Sequence, residues 1–270
     1  MKIGAYQINL IDSGRFRLDG GAMFGVVPRV LWERKMPPDD KNRIHMGANL
    51  LFIRSADRKI LVDTGMGNKG DEKFLKINAV DHSEHSLEKG LSDLELKPED
   101  ITDVILTHLH YDHAGGATYL NNDGELKPTF VNARYYVQRD HFGWAMKPTE
   151  KDRASFLKEN FIPLQESNQL ILVDGETELF PGIRLLPVNG HTTAQQMVQI
   201  YSDDVTLLFA GDLLPTSRHV SLPWVMAYDI APLKTLEENK HYLHLDADQE
   251  WLVVFEHDPE GQCTTIEKTE

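Results

Sequence analysis

Cysteine is nearly missing from this chain. Among 270 residues only Cys263 occurs, in the polar C-terminal stretch, so no intrachain disulfide can form and a reducing compartment is expected. Basic residues are also scarce. The 28 lysines and arginines face 42 aspartates and glutamates, a formal charge of -14 at pH 7, and no Lys/Arg run interrupts that balance. Such a surface repels nucleic acid phosphates and anionic lipid, which argues against a nucleic acid or membrane partner. Long apolar runs are absent: none approaches the roughly 18 residues a membrane span requires. The start, MKIGAYQINLIDSG, alternates apolar and polar residues instead of building the apolar centre of a signal peptide, so a cytoplasmic chain without an anchor is expected. What the chain does have is 41% hydrophobic residues beside 26% charged ones, enough to bury a sizeable core.

Alternation makes Gly4 to Ile11 a strand, and makes Asn49 to Ile53 with Lys59 to Val62 a hairpin around the polar turn Ser55-Ala56-Asp57-Arg58. Ser86 to Leu96 has Leu87, Leu91, Leu94 and Leu96 at helical spacing, with Lys97-Pro98 closing it. Further strands are expected at Asp103 to Leu106, Arg134 to Gln138, Leu170 to Val173, Ile183 to Val188, Met197 to Tyr201, Val205 to Phe209 and Trp251 to Phe255. Helices are expected near Asp152 to Asn160 and Leu233 to Leu245. No linker, repeat or low-complexity stretch divides residues 1–270, so the pattern reads as one α+β domain with two sheets covered by helices.

Chemistry concentrates in THLHYDHAGG, residues 107–116, where three histidines and an aspartate directly follow the apolar run Val104-Ile105-Leu106. On a strand, residues two apart point the same way, so His108 and His110 can aim at one point while Asp112 and His113 sit just past the strand end. Gly115 and Gly116 let the backbone pack closely beyond them. Imidazole and carboxylate suit zinc, iron or manganese. The bland alternative, a solvated polar loop, fits poorly, because imidazoles this dense beside an apolar strand are costly to bury without a metal or hydrogen-bond partners. Three further segments end an apolar strand in a ligand-type residue: IRLLPVNGH in His191, TLLFAGD in Asp212 and WLVVFEH in His257. Each alone reads as a capping or turn residue. Together they place five of the twelve histidines and two aspartates where strand ends can bring them together. His45, His82, His85, His141, His241 and His244 lie in polar or helical contexts and read as ordinary surface or core residues, while His219 is kept as a candidate.

THLHYDHAGG resembles the HxHxDH signature of the metallo-β-lactamase superfamily, and NGHTTAQQ, FAGDLLP and FEHDP look like its later ligand motifs, in order. LVDTG looks like its early motif, whose aspartate, here Asp63, would support the metal site by hydrogen bonding. The resemblance spans nearly the whole chain. LDGGAMFGVVPRVLW and LPTSRHVSLPWVMAYDIAP resemble more narrowly the branch with quorum-quenching N-acyl homoserine lactonases and methyl parathion hydrolases. The resemblance implies a four-layer αββα sandwich with two divalent metal ions at one edge, zinc first, with iron, cobalt or manganese as alternatives. His108, His110 and His191 would hold one ion, Asp112, His113 and His257 the other, and Asp212 would bridge them. A hydroxide shared by the ions would supply the nucleophile at neutral pH without serine or cysteine.

The chain departs from the pattern at two places. Well-studied lactonases carry a tyrosine three residues after the bridging aspartate, and here that residue is Pro215. The ring-opened alkoxide is then expected to be protonated by Asp112 or by solvent, with His219 or Tyr228 contributing a hydrogen bond. Thr193, Ala194 and Gln195 also replace the Pro, Gly and second His of the common GHTPGH form. Substrate contacts are expected from Met23, Phe24, Leu222, Trp224, Met226 and Tyr228, which would form a hydrophobic mouth for an acyl chain or aromatic ester. Val26 and Val27 belong to the same rim stretch, GAMFGVVPRVLW, whose alternative expected role is to cover a second copy in a homodimer. The expected reaction is lactone opening, most of all of N-acyl homoserine lactones. Hydrolysis of organophosphate triesters or aryl esters is the alternative, and a metal-binding scaffold the non-enzymatic one.

Overall fold

The computed structural model describes residues 1–260 and 262–267. Its strands are β1 Lys2–Ile3, β2 Tyr6–Asp19, β3 Arg43–Arg54, β4 Lys59–Val62, β5 Asp103–Ile105, β6 Thr118–Leu120, β7 Leu126–Pro128, β8 Arg134–Gln138, β9 Leu170–Val173, β10 Thr177–Phe180, β11 Ile183–Val188, β12 Gln195–Tyr201, β13 Thr206–Phe209, β14 Leu252–Val254 and β15 Cys263–Thr265. The first seven-stranded sheet has the order β1-β2-β3-β4-β5-β8-β9, the second has β10 to β15 in sequence order, and β6 with β7 forms a small ribbon. β4, β5, β8 and β9 pair in parallel, as do β13 and β14, and the other neighbours are antiparallel.

The period of two along each strand sorts residues between layers. Ile60, Val62 and Ile105 of the first sheet meet Leu185, Val198, Leu207, Phe209 and Val254 of the second in a core between the sheets. Their neighbours Leu61 and Val104 turn outward and are covered by Leu87 and Leu91 of the helix Leu87–Asp93 and by Phe142 of the helix Arg139–Met146. On the far side Leu208 and Val253 pack under Leu243 of the helix Pro232–Gln249. The result is the four-layer αββα sandwich, in which both faces of the central strands are buried and the runs Ile60-Leu61-Val62 and Leu207-Leu208-Phe209 are continuously apolar. No helix among the described residues is long and apolar enough to cross a membrane.

Three local expectations are corrected. β2 runs well past Ile11, because a bulge between Asp12 and Arg15, with Gly14 at φ 143°, lets it bend and continue to Asp19. The helix expected over 152–160 is not formed beyond the single turn Lys158–Asn160. There the buried Asp152 carboxylate accepts from the Thr149 amide, its hydroxyl and Trp144 Nε1, and these bonds close a turn in place of a helix. β5 stops at Ile105, two residues before the histidine motif begins. The parallel strands β4, β5, β13 and β14 and the antiparallel β11 then release the chain at one edge of the sandwich, where ligands collect in sheets of this kind.

Candidate metal centre

Beyond β5, residues 106–110 form a loop leading into the helical turn Tyr111–Ala114, so His108 and His110 lie off the strand. Side chains hold that loop where a ladder would have. Asp63 Oδ1 accepts from the Thr107 amide at 2.7 Å, its Oδ2 accepts from Thr107 Oγ1 at 2.6 Å, and His141 Nε2 accepts from the Leu109 amide at 2.8 Å. His141 donates through Nδ1 to the Thr193 carbonyl at 2.7 Å and thereby ties this loop to the one carrying His191. Past the motif, a Cβ at Gly115 would collide with the Met66 carbonyl and one at Gly116 with the Thr64 carbonyl, so only glycine allows the two backbones to touch.

Among the described residues three groups of ligand-type atoms result, one from His108, His110, His191 and Asp212, one from Asp112, His113 and His257, and one behind them from Asp63, His113 and Glu256, the atoms of each group lying within 4.8 Å of one another. His110 Nδ1 is 3.0 Å from His108 Nε2 and 3.1 Å from His191 Nε2, and the Nε2 atoms of His113 and His257 are 3.1 Å apart. Asp212 reaches the first two groups: its Oδ2 lies 3.2 Å from His191 Nε2, and its Oδ1 lies 3.1 Å from His257 Nε2 and 3.5 Å from His113 Nε2. Asp112 closes the second group from 3.7 Å and 3.9 Å.

The outer nitrogens explain why this fits metal ions. His191 Nδ1 faces Asp229 Oδ1 at 2.9 Å, His257 Nδ1 faces the Gly47 carbonyl at 2.9 Å, and His113 Nδ1 faces Asp63 and Glu256 at 3.1 and 3.0 Å. His108 Nδ1 faces Thr107 Oγ1, whose own proton goes to Asp63. Each acceptor keeps the proton on the outer nitrogen and turns a lone pair inward. Nitrogens meeting at about 3 Å around the buried Asp212 carboxylate are consistent with divalent metal ions held between them. Titration points the same way. Burial lowers His257, but Asp212 outweighs it and raises the imidazole to about 9. Burial raises the Asp212 carboxyl, yet His113, His257 and His191 hold it well below the usual carboxylate range. The carboxylate field of the cluster thus calls for positive charge.

The sequence profile of the Metallo-beta-lactamase superfamily matches residues 45–260. The chain belongs to that superfamily. It is 29% identical to an N-acyl homoserine lactonase of a Bacillus species over 161 residues, 56% of this chain and 57% of that protein. With the N-acyl homoserine lactonase AiiB of Agrobacterium fabrum it is 25% identical over 282 residues, 98% of both chains. The crystal structure of a probable metal-dependent hydrolase from Staphylococcus aureus superposes at a TM-score of 0.90 with 30% identity, covering 100% of this chain and 99% of that one. The dizinc quorum-quenching lactonase AidC, in complex with a product, shares the fold at a TM-score of 0.81 and 19% identity, over 100% of this chain and 93% of that one. The chain is therefore a metallo-hydrolase of this superfamily, related to N-acyl homoserine lactonases at low identity.

In this superfamily member a cavity of about 240 Å³ opens onto the cluster, and Met23, Met226 and Tyr228 line it beside His110, Asp112 and Asp212. Phe24, Leu222 and Trp224 are not among the lining residues. Phe24 is fully buried, stacked against Trp32 and His219, Trp224 meets its edge, and Leu222 packs on the core under the last helix. Apolar residues beside glycine and proline look alike in sequence whether they face a cavity or a core. His219 does not line the cavity either: Nδ1 meets Thr216 Oγ1 at 2.8 Å and Nε2 donates to the Met23 carbonyl at 2.9 Å, so both nitrogens are engaged in holding the wall. Four residues went unrecognised in the sequence: His141, Asp229, Glu256 and Glu238, the last accepting from the Asn189 and Gly190 amides to fix the His191 loop. Only Asp229 and Glu256 had a signal, as carboxylates inside segments already noted.

Proposed function

We propose that this chain, as one domain over residues 1–270, hydrolyses lactones, first of all N-acyl homoserine lactones. The observation that carries the reading is Asp212 standing between the imidazoles of His108, His110 and His191 and the group of Asp112, His113 and His257. His108, His110 and His191 would hold one divalent ion, Asp112, His113 and His257 the other, with zinc the first choice and iron, cobalt or manganese alternatives. When bound, the ions supply Lewis acidity and a nucleophile from water near neutral pH. Asp63, Asp229, Glu256 and the Gly47 carbonyl orient the imidazoles through their outer nitrogens. In the reaction, water adds to the ring carbonyl and gives a proton to Asp112 at the cavity wall, the ring C–O bond breaks, and Asp112 passes that same proton to the departing oxygen. Leu18, Ala22, Met23 and Met226 give the cavity an apolar side suited to an acyl chain.

The same residues suit an organophosphate triester or aryl ester, so the test compares them. Acyl homoserine lactones of increasing chain length, a paraoxon-type triester and an aryl ester are assayed on one metal-analysed preparation. A kcat/KM that favours lactones and rises with acyl length supports the reading, and a triester preference overturns it. A homodimer is part of the proposal, supported by Val26, Val30 and Leu31, which are 91%, 62% and 50% exposed on one short segment. A cytoplasmic location is the remaining part, supported by the single free cysteine.

A further inference from the structure

Tyr111 sits between His110 and Asp112 and lines the cavity, and among the described residues its hydroxyl makes one long hydrogen bond, donating to Asn78 Oδ1 at 3.5 Å. Its ring is fixed edge-on against Phe74, with centroids 5.0 Å apart, and its amide bonds to the Ser155 carbonyl, so the hydroxyl is held in place by packing and backbone alone. Tyr228 lines the same cavity, and no hydrogen bond to its hydroxyl occurs among the described residues. The backbone of Tyr228 is held: Lys151 Nζ donates to the carbonyls of Ala227, Tyr228 and Asp229 at 2.9, 2.6 and 2.9 Å. The Tyr111 hydroxyl, whose donor goes to a bond of only 3.5 Å, and the Tyr228 hydroxyl therefore belong to residues of the same cavity wall as Asp112.

We infer that Tyr111 and Tyr228 are specificity-determining residues that select lactones bearing an amide next to the ring, by donating hydrogen bonds to the amide carbonyl. The inference rests on the lactonase reading above and deepens it. A hydroxyl drawn from water into a cavity favours the ligand that pairs with it over one that leaves it unpaired, and an acylamino lactone offers an acceptor that a plain lactone lacks. The apolar side of the cavity serves the acyl chain equally well for either tyrosine state, so the hydroxyls act on the choice of head group.

The test uses the zinc-loaded full chain and measures kcat/KM for N-hexanoyl-L-homoserine lactone and for γ-butyrolactone, which has no amide, in the wild type, Tyr111→Phe and Tyr228→Phe. Each substitution is expected to lower the ratio of the two values about fivefold to tenfold, the worth of one neutral hydrogen bond, while bound zinc stays constant. Calorimetric Kd values for the ring-opened N-hexanoyl-L-homoserine are expected to weaken by a similar factor. Tyr111→Phe keeps the ring on Phe74, and Tyr228 is 38% exposed, so at least the second variant folds as the wild type does. If the wild type opens both lactones and the ratio is the same in both variants, the inference is overturned and the lactonase reading stands. If the wild type opens neither, the lactonase reading fails and takes this inference with it.

Discussion

Asp246 is a buried acid that the metal site does not use. It is 0% exposed on the inner face of the helix Pro232–Gln249, and neither carboxyl oxygen has a hydrogen-bond partner among the described residues. Burial without a partner raises its pKa from 3.8 to about 7. A shift of about three units corresponds to about 4 kcal/mol at 1.36 kcal/mol per unit, an upper bound that local relaxation reduces to about 2–4 kcal/mol. The sign follows from proton counts. Between about pH 4 and pH 7 the unfolded chain has released the proton and the folded chain retains it, so stability is full below the unfolded pKa and is lost as pH rises through the folded one. Asp246→Asn removes the titration at nearly constant shape. Urea unfolding of both proteins at pH 4.5 and pH 8 (values chosen at about the two ends of that window) isolates the effect, because every other titrating group cancels in the double difference. The variant is expected to gain about 2–4 kcal/mol relative to the wild type on going to the higher pH. An identical pH response in the two proteins would show that the carboxylate is solvated or paired and refute the reasoning.

Other predictions bear on the site and its frame. Asp63→Asn removes an acceptor shared by the Thr107 amide, Thr107 Oγ1 and His113 Nδ1, and is expected to weaken metal retention about 10- to 100-fold in a chelator competition. Gly115→Ala drives a methyl into the Met66 carbonyl and is expected to cost about 1–3 kcal/mol or more in chemical denaturation; an unchanged unfolding midpoint would mean the two backbones do not touch. Lys151→Met frees three consecutive carbonyls of the 227–229 segment, so that segment should be cleaved faster in limited proteolysis and KM should rise more than kcat falls.

The clustering of these histidines and aspartates was legible because metal chemistry restricts residue type, and the sandwich brings the segments after its strands to one edge. β8, β9 and β11 were legible because each is a short run dominated by aromatic, β-branched or leucine residues. What escaped depends on side-chain bonds between distant segments. His141, thirty-two residues from the Leu109 amide it accepts, looks like any histidine on a short helix. Asp152 stops a helix that local pattern favours by capping its own turn, and Phe24 looks like a pocket residue until Trp32 and His219 are stacked on it. Period and propensity carry no information about such contacts.

The most direct test of the central claim measures metal per chain and turnover on the same preparation before and after exhaustive chelation. Two ions per chain, loss of both ions and of turnover on chelation, recovery of both with zinc, and a marked loss of ion content in Asp212→Asn are the expected results. A chelated chain with no detectable ions and full turnover would contradict the account.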